Sequence, residues 1–254
     1  MPDSIPIWLI GVVFIVFCLV AYEGGFRLGR WWQERTPGEQ EGPTGVLVGS
    51  LLALLAFMLA IATGMAGDRF DTRRALVNDQ ANDIRVAYLE AGYLPAPAND
   101  QIQELLRQYA PLQIGTSDSA QIQQNITDSA TLEQQIWTIT QEVARTGSND
   151  VIAEFVNSLG EVTKVRESRI NAVLNVRVPA TILWLLIAGA ILSIGMVGFG
   201  AGVTGQRSVI TAVVLIVALG ATLLLVLDLD SPRQGFITVN QQPLIDVVND
   251  IGPP

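Results

Sequence analysis

The chain has 254 residues, 50% of them hydrophobic and 15% charged, with a formal net charge of −9. So apolar a composition points to membrane spans, and the acidic balance excludes the basic face that nucleic-acid binding needs. Histidine is absent, removing the commonest general base and transition-metal ligand, and the single cysteine, Cys18, supports neither an intrachain disulfide nor a zinc site.

A helix needs about 20 apolar residues to cross about 30 Å of hydrocarbon. Ile5 to Tyr22 is the first such stretch, with Cys18 as a small buried hydrophobe inside it. Asp3 is the only charge ahead of it and no small-x-small cleavage site follows, so it is expected to persist as a helix. Trp8 near one end and Trp31 and Trp32 beyond the other suit the headgroup level. Glu23 to Thr44 is a polar connection, and Gly45 to Gly67 is the second span. Within it Gly49, Ala53, Ala56, Ala60, Thr63 and Gly67 recur in steps of four and three, a stripe of small residues along one helix face. Two readings stand side by side. Small residues let helices pack closely in lipid, or they line a narrow pore with Phe57 and its bulky neighbours Leu54, Met58 and Ile61 as packing or as a hydrophobic gate.

The stretch "AGDRFDTRR" then brings five charges. Arg69, Arg73 and Arg74 are expected to reach the interface, or to form an anion-favouring pore mouth. No proline interrupts residues 68 to 93, and Phe70, Val77, Ile84, Tyr88 and Ala91 form a heptad-like stripe, so the second span is expected to continue as a stalk. A helix over Gln101 to Tyr109 capped by Asn99 or Asp100, a loop over Pro111 to Asp118, a helix over Ser129 to Arg145 and a helix over Val151 to Val178 follow. The third span, Ala180 to Val203, opens on Pro179, and "TGQR" joins it to the fourth, Ser208 to Leu227. Asp228 and Asp230 either end that span or hold a cation at the membrane surface. In the tail, "GFITV" alternates like a short strand, and Pro243 to Asn249 suits one or two helical turns.

The expected fold is all-α, with four transmembrane helices in two hairpins flanking a soluble helical bundle. The first and last helices of that bundle continue membrane helices. The divisions are 1–44, first span and polar loop; 45–67, second span; 68–178, soluble helical domain; 179–228, third and fourth spans; and 229–254, tail. Nine Lys and Arg residues stand near the membrane on the domain side against four (Arg27, Arg30, Arg35 and Arg207) on the other. The positive-inside rule therefore predicts a cytoplasmic domain and termini, although the first span carries its own positive charges on the opposite side. No nucleotide-binding, hydrolase or zinc-protease motif occurs, so no catalytic residue, cofactor or metal site is expected.

Several stretches together resemble the DUF4239 family, bacterial bestrophin-like membrane proteins. They are "EGGFRLGRW", "AFMLAIATGMAGDRFDTRRALVNDQANDIRVAYLEAGYLP", "EVTKVRESRINAVLNVRVPATILWLL" and "DLDSPRQGFITVNQQPL". Where that family usually carries Glu, this chain has Gln80. The resemblance implies a multi-pass protein of the bacterial inner membrane and a homo-oligomeric ring in the lipid bilayer. It also implies a cytosolic helical domain and a pore for small anions lined by the second span. Matched residues include Arg169, Arg177, Asp228 and Asp230, for which a structural role at the membrane surface is expected, with Arg177 and Asp228 as a pair. The rival expectation is a membrane-anchored interaction or signalling protein without transport activity.

Overall fold

The computed structural model describes residues 7–35, 44–116, 118–147, 149–174, 178–231 and 235–253. Eight helices appear among them: α1 (Ile7–Arg35), α2 (Thr44–Ala91), α3 (Ala98–Leu112), α4 (Ser119–Thr146), α5 (Asp150–Leu174), α6 (Ala180–Thr204), α7 (Val209–Asp230) and α8 (Gln242–Ile251). The described residues contain no strand. α1, α2, α6 and α7 are each long and apolar enough to cross a membrane. The chain divides into two compact units, one of residues 1–69 and 177–237, the other of residues 70–176 and 238–254.

In the first unit, glycines bring α1 and α6 together backbone to backbone. A Cβ at Gly25 or Gly198 would collide with the carbonyls of Gly195 and Tyr22, and one at Gly29 or Gly202 with those of Phe199 and Phe26. Residue numbers rise together on the two helices, so they run parallel. α7 runs antiparallel to α1, with Gly11 beside Leu224 and Gly220 beside Phe14. Lipid tails are as apolar as leucine, so close van der Waals contact, and not hydrophobic exclusion, holds such helices together. The "GFGAG" stretch at 198–202 is this contact surface. Phe14, Cys18, Tyr22, Leu55, Leu59, Leu186, Ile194 and Ile216 fill the surrounding core.

The second unit is built by side-chain interdigitation. Ile84, Ile102, Leu106, Tyr109, Phe155, Leu159 and Leu244 are fully buried together. Each such burial stabilises the fold by about 1.5–3 kcal/mol. α8 closes this core through Leu244 and Val247. Polar contacts pin it: Arg107 Nε donates to the Ile251 carbonyl at 3.0 Å, Arg85 pairs with Asp250 at 2.5 Å, and Gly115 N–H donates to Gln241 at 3.2 Å.

The helices differ from the sequence reading mainly at their ends. α1 continues through Glu23 to Arg35, because its glycines keep it against α6. α2 is a single helix of 48 residues, about 72 Å long at 1.5 Å per residue. α3 starts at Ala98, without a side-chain cap from Asn99 or Asp100. α4 starts ten residues before Ser129, where the Asp118 carboxylate accepts from Ala120 N–H at 2.9 Å. At α5, Asn149 accepts from Ile152 N–H at 2.9 Å. α6 ends on Gly205 in the left-handed region, φ 68°. "GFITV" forms no strand; Gly235 to Ile237 is a bend.

The glycine contact predicts opposite outcomes for two neighbouring substitutions. Gly198→Val forces backbone apart and should lower stability by at least about 3 kcal/mol. An added Cβ at Gly24 meets nothing within 4 Å, so Gly24→Ala should stabilise α1 by up to about 1 kcal/mol. Thermal unfolding of both variants in detergent checks the pair.

Candidate functional site

α2 enters the core of the first unit on one face only. Leu55, Leu59, Ala62 and Ala66 are buried, and Leu55 sits over Gly189 of α6, 3.5 Å from where its Cβ would stand. On the flank about a third of a turn from that face, Gly49, Ala53, Ala56 and Ala60 are exposed and Thr63 and Gly67 half-buried. An added Cβ at Gly49, Gly64 or Gly67 meets nothing within 4 Å. The small-residue stripe therefore does not hold α2 to the other described helices of its own chain. Phe57 flanks the stripe and is 60% exposed.

The three arginines expected to act together at the end of the span separate. Arg73 is buried, 6% exposed, because its position repeats the register of Leu59, Ala66, Val77 and Gln80 on the inward face. Arg69 is half-buried, with Nη1 donating to the Met65 carbonyl one turn back at 3.3 Å. Only Arg74 is exposed. Continuing the stripe's alternating steps past Gly67, three and then four, lands on Phe70 and Arg74, not on Arg69 or Arg73.

Asp228 and Asp230 are buried at the end of α7. The Asp228 carboxylate accepts Phe236 N–H at 2.8 Å and Ile237 N–H at 2.9 Å, and a Cβ at Gly235 would strike it. Asp230 accepts Val178 N–H at 2.9 Å, ahead of α6. Backbone donors occupy these carboxylates in the way a capping side chain satisfies a helix end. Arg177, expected to pair with Asp228, lies outside the described residues.

Arg169 lies in the second unit and is held by neutral groups. Its Nη1 donates to Gln80 Oε1 and, at 3.2 Å, to the Gln113 carbonyl, while Gln80 Nε2 donates to Gln113 Oε1 at 3.0 Å. Burial in this amide cage brings Arg169 down to about 10. Beside it, burial first and the Glu133 carboxylate second push the Tyr109 hydroxyl above its ordinary range. Arg166, also buried, bonds to Ser129 Oγ at 3.3 Å and to the Ile126 carbonyl at 3.0 Å, with Glu133 at 3.7 Å. Periodicity shows such positions as inward-facing but cannot show that polar side chains from α2, α3, α4 and α5 meet there.

A model of the Bestrophin-like domain matches residues 15–244. The chain belongs to the bestrophin-like family. Crystal structures of a bacterial bestrophin homolog from Klebsiella pneumoniae share its fold. One point mutant is 16% identical over 96% of both chains, with a TM-score of 0.68. A second structure of that homolog, phased with zinc, is 14% identical over 95% of this chain and 94% of that chain, with a TM-score of 0.65. A structure described as a membrane protein is 17% identical over 96% and 95% of the two chains, with a TM-score of 0.66. No curated protein matches this chain in sequence. The all-helical, four-span architecture is thus that of a bestrophin-like membrane protein.

The amide cage makes a stability prediction. Gln80→Glu places a carboxylate against the buried guanidinium and should stabilise the protein by on the order of 2 kcal/mol at pH 7. Arg169 would hold that carboxyl below its unfolded pKa of about 4.3. The gain is therefore present above pH 4.3 and lost as pH falls through the lower folded value. Thermal midpoints of both forms from pH 3 to 8 check the sign.

Proposed function

We propose that this bestrophin-like protein is a homo-oligomeric channel that passes small anions passively through a pore lined by α2. One observation carries the reading: Gly49, Ala53, Ala56 and Ala60, most of the small-residue face of α2, are exposed and not packed into the core of the described helices. A long apolar helix rarely leaves glycine and alanine unpartnered along one edge unless another backbone or a narrow conduit lies beyond it. Sister α2 helices around an axis supply both. Gly49, Ala53, Ala56, Ala60, Thr63 and Gly67 then line the passage, and Phe57 narrows it as a hydrophobic constriction.

Arg74 is the cation we assign to the end of that face. Arg69 and Arg73, turned inward, support the helix. The small pore-facing side chains carry no charge, so selectivity rests at the mouth and not within the span. The known activity of the wider bestrophin family, implied by the resemblance, agrees with this reading. We further propose that the pore spans a bacterial inner membrane with the second unit in the cytoplasm, as the excess of basic residues on that side favours.

Reconstitution in planar bilayers tests the function. The wild-type protein should conduct with anion preference. Phe57→Ala should raise unitary conductance several-fold, and Arg74→Glu should shift the reversal potential toward cations. Silence under every condition, or a reversal potential indifferent to Arg74→Glu, would count against the proposal.

A further inference from the structure

We propose that the last three turns of α1, with the α6–α7 turn, form a docking ledge for the headgroup of an anionic phospholipid. Gly25 and Gly29 lie on the α6 backbone. At 3.6 residues per turn, Glu23, Arg27, Arg30 and Trp31 fall on the opposite side of the helix. The Arg27 and Arg30 side chains are 78% and 71% exposed.

The contacts with α6 set the depth of this ledge. Gly29 abuts Phe199 and Val203, and a Cβ at Gly202 would stand 2.9 Å from the Arg30 nitrogen. Arg27 and Arg30 are thus level with the final turn of α6, just before the apolar sequence gives way to "TGQR". That is the level at which a spanning helix meets lipid headgroups.

The charges do not cancel at the ledge. Glu23 is shared by two guanidiniums, Arg27 Nε at 2.9 Å and Arg207 Nη2 at 2.6 Å. Arg30 reaches Glu34 at 3.4 Å, and Arg35 stacks 4.1 Å above the Trp31 ring. Four arginines against Glu23 and Glu34 leave an excess of two positive charges. Arginine offers phosphate oxygens paired donors from a rigid fork. Leu28 and Trp31, both exposed, put apolar surface beside that charge. The occupant that uses phosphate-binding forks and apolar surface together, at this depth, is an anionic phospholipid. A free anion gains nothing from Leu28 and Trp31 and would meet an open ledge with no enclosure.

The test uses the full-length protein in nanodiscs of phosphatidylcholine with added phosphatidylglycerol, with retained phosphatidylglycerol counted by native mass spectrometry. Each of Arg27→Gln, Arg30→Gln and Arg207→Gln should weaken retention about fivefold, the electrostatic contribution of one basic residue near a membrane surface. Arg145→Gln, on exposed α4 surface, should leave it unchanged. Glu23→Gln, which releases two arginines from their shared carboxylate, should strengthen it, a gain that misfolding cannot mimic. Retention that survives all three arginine substitutions would overturn the proposal. So would inorganic phosphate stabilising the protein in pure phosphatidylcholine as well as phosphatidylglycerol does, because the ledge would then be a free-anion site.

Discussion

The membrane unit depends on the close approach of α6 to its neighbours. Gly195, Gly198 and Gly202 let it touch the α1 backbone, and Gly189 leaves room for Leu55 of α2. Gly189 and Gly198 are nine residues apart, two and a half turns, so they point to opposite sides of the helix. α6 is therefore held between α1 and α2 by two glycine faces. Once Leu55, Leu59, Ala62 and Ala66 are seated, the rotation of α2 about its axis is set. That rotation leaves Gly49, Ala53, Ala56 and Ala60 exposed and Thr63 and Gly67 half-buried.

The same helix serves two kinds of packing. In its first half, packing gains come from backbone proximity, because lipid provides little hydrophobic force between helices. Beyond Arg69, in the second unit, Val77, Ala81, Ile84, Ala87 and Ala91 bury apolar surface in the ordinary way, with Phe155, Leu159 and Leu244 as partners. The buried polar cluster of the second unit interrupts this pattern. Arg169 donates to the Gln80 side-chain oxygen and the Gln113 carbonyl, and burial lowers its pKa to about 10. Such a site tolerates an acid at position 80 better than it tolerates loss of the arginine's acceptors.

Much of the architecture was legible because hydropathy and helix length are local properties. The four apolar runs needed no tertiary information. α1 was harder: Glu23, Arg27 and Arg30 suggest an exit from the helix, and only the glycine contact with α6 explains its continuation to Arg35. The early start of α4 was hidden because "SAQIQQNITD" has few apolar positions from which to read a period. The apparent strand at "GFITV" misled because its N–H groups bond to Asp228, eight and nine residues back, and not to a neighbouring strand. The small-residue stripe was visible in the sequence, but its orientation was not, since spacing defines a face without saying what it meets. Arg73 is the opposite case. Its inward position was readable from the register of Leu59, Ala66 and Val77, whereas grouping it with Arg69 and Arg74 by proximity in sequence obscured that register.

The central claim is that the small-residue face of α2 meets sister helices around a wet axis. A nitroxide introduced at Ala56→Cys tests it directly, since the native Cys18 is fully buried. In nanodiscs, the label should show dipolar broadening from sister labels and should collide more readily with a water-soluble relaxation agent than with oxygen. A narrow spectrum with oxygen dominant, like that of a label at the exposed Trp184, would place Ala56 among acyl chains and contradict the claim.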